Sequence, residues 1–127
     1  MRPALLTAYR STVYRVAAMD FRIGRRSGAM DRLLIAHGER QAVFVTAYNP
    51  FSRAMPAGWN RRMQGRLAEV FRRRRFLLGD GHWRRWSEAH VLVFGDPRPI
   101  LRTAMLFRQN TVAIIRLRQP VRLAILV

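Results

Sequence analysis

The sequence predicts an α+β fold: a two-layer split β-α-β (ferredoxin-like) sandwich with an N-terminal helix-hairpin-helix extension. Two observations carry this expectation. From residue 41 onward, strand-like and helix-like apolar patterns follow one another as strand, helix, short extended piece, strand, helix, strand, strand, which is close to the split β-α-β plan. The chain has 127 residues, 50% of them hydrophobic, enough for one core and too few for two comfortable ones. No repeat, low-complexity linker or composition break divides it, so residues 1–127 are expected to form a single domain.

Each element has its own local reason. Residues 3–11 read as a short helix with Pro3 in its first turn and Leu5, Leu6, Ala8 and Tyr9 as apolar surface. Thr12 to Ala17 alternates as a strand, Thr12, Tyr14 and Val16 to one side, with Phe21 to Gly24 as its hairpin partner. Residues 28–37 place Met30, Leu33 and Leu34 at helical spacing, and Gly38 stops the helix. Gln41 to Tyr48 is the clearest strand; both its faces are largely apolar, which marks a buried central position. Asn49-Pro50 ends it and opens a loop through Pro56 and Gly58. A long helix is expected over about 59–75, with Trp59, Met63, Leu67, Val70 and Phe71 on one face. A short extended piece near Phe76 to Leu78 leads to a turn at Gly79-Asp80-Gly81, and His90 to Gly95 is the next strand. Asp96 caps a helix over 97–108 with Pro97 at its first position, burying Ile100, Leu101, Ala104 and Met105. Thr111 to Arg116 and Val121 to Val127 are the last strands, turned near Gln119-Pro120.

Composition removes much familiar chemistry. All 24 basic residues are arginine, and there is no lysine and no cysteine. Disulfides, thiolate nucleophiles and cysteine-ligated zinc are therefore excluded, as are Schiff bases and a P-loop lysine. The longest apolar runs, Val91–Phe94 and Leu123–Val127, fall far short of a bilayer span. Met1 to Ala8 breaks into Tyr9 and Arg10 before any secretory core forms. A cytoplasmic protein with no membrane partner is expected.

The net charge of +17 concentrates polyanions near the surface. On the expected long helix, Arg62, Arg66 and Arg73 line up away from the apolar stripe, and Arg74 lies in the arginine run that closes it. Arg84 and Arg85 sit between Trp83 and Trp86, pairing charge with stacking surface as single-stranded nucleic acid requires. The plain alternative is a solvated helix face, with arginine favoured by codon usage.

A second polar group lies at element ends. Thr46, Asn49 and Ser52 leave the end of the central strand, where α/β sheets present binding groups; Asn-Pro turns also use such residues for their own backbone. Asp80, His82, Glu88 and His90 are metal-ligand types, yet their spacing matches no zinc signature, and no metal or cofactor is expected. Neither Ser52 nor Ser87 lies in a nucleophile elbow.

The run Thr46-Ala47-Tyr48-Asn49-Pro50-x-Ser52, then Asn60, then Trp86-x-Glu88 before a Val-Leu-Val-x-Gly strand, then Phe107-x-Gln109-Asn110, resembles the bacterial domain-of-unknown-function family 3293. The resemblance covers most of the chain and implies a shared polar set at Thr46, Asn49, Ser52, Asn60, Glu88, Gln109 and Asn110. It implies no activity. The family pattern leads one to expect Pro, Glu and Ser at Ser87, Ala89 and His90, and Gly and Ala at Arg108 and Thr111, so chemistry needing that second carboxylate or serine would be lost here.

The leading functional expectation is polyanion binding, RNA or DNA, through the arginine-rich helix. The alternative is a small-molecule-binding protein or enzyme using the Asn/Glu/Gln cleft, with Glu88 as the sole candidate acid or base. A third is an interaction module docking on an acidic protein.

Overall fold

A computed structural model describes all 127 residues. It corrects the expected fold class. The seven strands form one antiparallel sheet in the order β2-β1-β4-β5-β3-β6-β7, curled into a half-barrel with four helices, not a two-layer ferredoxin-like sandwich. The elements are α1 (Pro3–Ser11), β1 (Val13–Val16), β2 (Met19–Phe21), α2 (Gly28–Ala36), β3 (Gln41–Val45), α3 (Ala57–Val70), β4 (Phe76–Trp83), β5 (Trp86–Phe94), α4 (Pro97–Leu106), β6 (Thr111–Arg116) and β7 (Arg122–Ile125). A single 3-10 turn, Pro50–Ser52, follows β3.

The physical reason for the correction lies in β4. The expected short piece and glycine turn are one eight-residue strand, which pairs with β5 on one side and with β1 on the other. The N-terminal hairpin is thereby part of the sheet rather than an extension. The turn falls beyond the glycines, at Arg84-Arg85, with Trp83 opposite Trp86.

Both faces of the sheet are apolar, and both are covered. On the first face Tyr14, Phe21, Ala42, Phe44, Leu92, Phe94 and Ile115 pack with Met30 and Leu34 of α2. On the second, Val43, Val45, Val91, Val93, Val112 and Ile114 pack with Leu67 of α3 and Ile100 and Ala104 of α4. The period-2 alternation of β3 and β5 sends successive side chains to the two cores.

The helices begin where their caps require. Ser27 accepts from Met30 N at 3.1 Å and starts α2; Asp96 accepts from Arg98 N at 3.0 Å and starts α4. α3 ends at Val70, earlier than its apolar pattern suggests, because Phe71 is buried and the chain must turn into β4. Val70 and Met105, expected in the core, are 56% and 55% exposed. The inward face of α3 instead runs through Asn60, Gln64, Leu67 and Phe71, polar at its first turns and apolar at its last. No helix is long and apolar enough to cross a membrane.

Candidate functional site

The first face is apolar along most of its length and becomes polar at one end. There α1 lies across the sheet over a cavity of about 360 Å³, within the range usual for small-molecule sites. Its floor is aromatic. The Phe44 and His90 rings stack at 4.8 Å, and Tyr14 meets both edge-on at 5.5 and 5.6 Å. Two glycines of β4 make this floor possible. A Cβ on Gly79 would lie 2.6 Å from Phe44 Cζ, and one on Gly81 would lie 3.1 Å from His90 Cε1 and 3.2 Å from Tyr14 Cδ1. Trp83 and Trp86 stand at the same cavity.

Register explains how distant residues meet. Tyr14 is opposite Gly81, and Gly81 is opposite Glu88, so a rung across β1, β4 and β5 places Tyr14 and Glu88 on one face with only glycine between them. The loop after β3 adds Asn49, whose Nδ2 donates to Glu88 Oε2 at 2.9 Å. Asn49 and Asn60 lock together: Asn60 Oδ1 accepts from Asn49 N at 3.0 Å and Asn60 Nδ2 donates to Asn49 Oδ1 at 2.8 Å. Met55 N also donates to Asn49 Oδ1, at 2.9 Å. Asn49, Phe51 and Ser52 all have positive φ, at 46°, 52° and 61°. Such strain persists only where the surroundings over-determine it, and it clusters at functional sites.

Five of the seven residues of the expected polar set line the cavity: Thr46, Asn49, Ser52, Glu88 and Gln109. Asn60 and Asn110 sit behind them as supports, Asn60 on Asn49 and Asn110 donating to Ser52 Oγ at 2.8 Å. Ser52 also bonds the Tyr9 hydroxyl, which ties α1 to the loop. Thr46 Oγ1 donates to Ala89 O at 2.6 Å and Gln109 Nε2 to Tyr48 O at 3.1 Å, joining β3 to its neighbours. Sequence reasoning missed Tyr14 and Gly81 as site residues and weighed His90 only as a metal ligand. The alternation of Thr12, Tyr14 and Val16 was the available sign for Tyr14.

Burial sets the protonation states. It pushes the Glu88 carboxyl above its ordinary range, partly offset by the Asn49 hydrogen bond. It holds the His90 imidazolium down to about 4, so the ring is neutral at pH 7. It also raises the Tyr14 phenol, with the nearby Glu88 charge adding to the effect. His90 Nδ1 lies 3.0 Å from Glu88 O; a carbonyl only accepts, so Nδ1 carries the proton and Nε2 offers a lone pair. Tyr14 and His90 are 4% and 7% exposed, line the cavity, and have no protein partner at the Tyr14 hydroxyl or His90 Nε2.

Asp80 and His82 alternate with Gly79 and Gly81 along β4 and so point away from the face that carries Glu88 and His90. No three His, Asp or Glu side chains form a metal-binding group.

The expected nucleic-acid residues are placed differently. Arg62, Arg66, Arg73, Arg74, Arg84 and Arg85 are exposed, and Trp83 is half-buried. Arg84 stacks over the Trp83 ring at 4.5 Å. Arg73 and Arg74 precede the start of β4, whereas Arg84 and Arg85 follow its end, and eight strand residues separate the two groups by about 25 Å. Only four of the 24 arginines pair with a carboxylate side chain.

Fold and site together define a mixed α/β protein built on one curled antiparallel sheet with a ligand-sized aromatic cavity at its end. The chain belongs to the DUF3293 family, proteins of unknown function, whose model matches residues 45–112, just over half of the chain. That stretch contains the whole polar set, while Tyr9 and Tyr14 lie outside it. No curated protein and no solved structure matches the chain.

Proposed function

We propose that this protein binds a small molecule in the cavity between α1 and the sheet, with Glu88 as the group that exchanges protons with it. The supporting observation is that Tyr14 of β1 meets Glu88 and His90 of β5, with Asn49 from the loop after β3, around one aromatic-lined cavity. Each of Tyr14, Glu88 and His90 presents to the cavity a polar atom without a protein partner: the Tyr14 hydroxyl, Glu88 Oε1 and His90 Nε2. A fold keeps such groups where a ligand or water satisfies them. Glu88 is the only carboxylate lining the cavity, so acid or base work falls to it.

Polyanion binding is the second reading. The +17 charge supports it, as does Trp86, 52% exposed beside Arg84 and Arg85. The separation of the two arginine groups weakens it as a single continuous surface.

The test is to purify the chain, denature it, and identify what is released. A small molecule recovered from wild type, and reduced at least tenfold in Glu88→Gln, supports the cavity reading. Nucleic acid recovered equally from both supports the second. If only water-sized occupants are found, a metabolite mixture screened by ligand-observed NMR must yield a binder that Glu88→Gln loses; a screen with none contradicts the cavity reading.

A further inference from the structure

The cavity reading leaves the ligand's chemistry open, and the atoms lining the cavity narrow it. The groups without protein partners are mainly acceptors. Glu88 Oε2 takes a hydrogen bond from Asn49, and Oε1 has no partner among the protein groups. His90 Nε2 is a lone pair, because Nδ1 donates to Glu88 O. The Tyr14 hydroxyl serves either role. A ligand that satisfies this set must bring hydrogen-bond donors, and an exocyclic amino group supplies two on one atom where a hydroxyl supplies one. The lining is aromatic as well: Phe44 and His90 stack on each other, Tyr14 meets both edge-on, and Trp83 and Trp86 stand at the same cavity. Aromatic surfaces of this kind select a planar ring system.

Charge decides between the two kinds of flat donor. A planar cation such as an amidinium would satisfy the acceptors, but it must approach a protein of net charge +17. That field opposes a cation and leaves a neutral ligand untouched. Building on the cavity reading, we infer that the ligand is a neutral amino-substituted heteroaromatic ring, its amino edge on Glu88 and its ring among the aromatic side chains that line the cavity. The volume of about 360 Å³ admits a fused bicyclic ring with a small substituent. Asn49, itself in the cavity lining, fixes the Glu88 carboxylate by its hydrogen bond, and Asn60 holds Asn49 from behind.

Three probes test this by NMR titration of the full chain, followed at the Tyr14 and His90 ring resonances. 2-Aminoquinazoline carries the amino edge. Quinazoline has the same fused rings and no N–H. Benzamidine carries similar donors with a positive charge. The amino compound is expected to bind at least about tenfold tighter than quinazoline, as one charge-assisted hydrogen bond allows, and tighter than benzamidine. Glu88→Gln replaces an acceptor with a group that also donates, so the preference should fall to within about twofold. Gly81→Ala raises the floor and should weaken both neutral probes equally, leaving the preference intact; this variant keeps the test decisive where Glu88→Gln folds poorly. Equal affinity for the two neutral probes, a preference that survives Glu88→Gln, or tighter benzamidine binding each overturns the inference while the cavity reading stands. No shift at Tyr14 or His90 with any probe overturns the inference, and the cavity reading is then decided by the released-ligand experiment.

Discussion

His90 makes the most direct prediction at the scale of one residue. Its folded-state value is about 4 against an ordinary 6.5, so between those values the unfolded chain binds more protons than the folded one. The associated stability is complete above about pH 6.5 and is lost as the pH falls toward 4, by about 3 kcal/mol in total. Glu88 works in the opposite direction, since its raised value makes the folded state take up a proton earlier as pH falls. The groups facing His90 are Tyr14 and Phe44 in the floor and the Glu88 carbonyl, with the Asp80 charge acting on it as well. Urea unfolding of wild type and His90→Phe at pH 7, 5.5 and 4 isolates the His90 part. Wild type should lose more stability than the variant by about one proton's slope; identical pH dependence would show that His90 titrates normally. Asn60 offers a second residue-scale test. It is 5% exposed and bonds both Asn49 and Met55. Asn60→Leu should cost about 2 kcal/mol by leaving the Asn49 backbone N–H without its Asn60 partner, measured as a lower urea midpoint at unchanged slope.

At the scale of elements, β4 and α1 matter most. Gly79 and Gly81 were readable as glycines but not as strand residues: a Gly-Asp-Gly run signals a turn unless the neighbouring faces are known. Their role depends on Phe44, Tyr14 and His90, rings brought in from three other strands, and no local pattern contains that information. Gly79→Ala puts a Cβ 2.4 Å from Arg15 O and should destabilise by about 3 kcal/mol. Gly81→Ala meets only side chains, at 3.1–3.3 Å, and should cost about 1 kcal/mol while weakening ligand binding. Chemical denaturation of the two variants checks the ranking, and equal costs would contradict the packing account. α1 has no buried residue and is tied to the loop through Tyr9 and Ser52. Its amides should exchange with deuterium faster than those of α2, α3 and α4, and should slow when the cavity is filled. Unchanged α1 exchange on ligand binding would argue that the helix plays no part in the site. The boundaries of α2 and α4 were legible because their caps are local. The end of α3 was not, because burial of Phe71 overrides the helical run of arginines.

At the scale of the molecule, one sign of the fold was present in the sequence and outweighed. Both faces of residues 41–48 are apolar, which a two-layer sandwich leaves unexplained, since one face of its sheet meets solvent. The second cover is α2, and the sheet continues through the N-terminal hairpin because β1 pairs with β4. The polar set was legible as residues at element ends; its depth was not, since the order of contact from Asn60 to Asn49 to Glu88 exists only once α3 packs. The +17 charge is a property of the whole surface. Arg66→Ala with Arg73→Ala, both exposed, should change stability by less than about 0.5 kcal/mol.

The two functional readings place their ligands on different atoms, and one spectrum separates them. The chain is labelled so that Tyr and His ring resonances and Arg side-chain N–H resonances are observed together, and it is titrated in turn with 2-aminoquinazoline and with a short single-stranded oligonucleotide near physiological salt. The cavity account predicts that the small molecule shifts Tyr14 and His90 and leaves Arg62, Arg66, Arg73 and Arg74 in place. Saturable shifts of those arginines with the oligonucleotide, and still rings at Tyr14 and His90 with the small molecule, would contradict it.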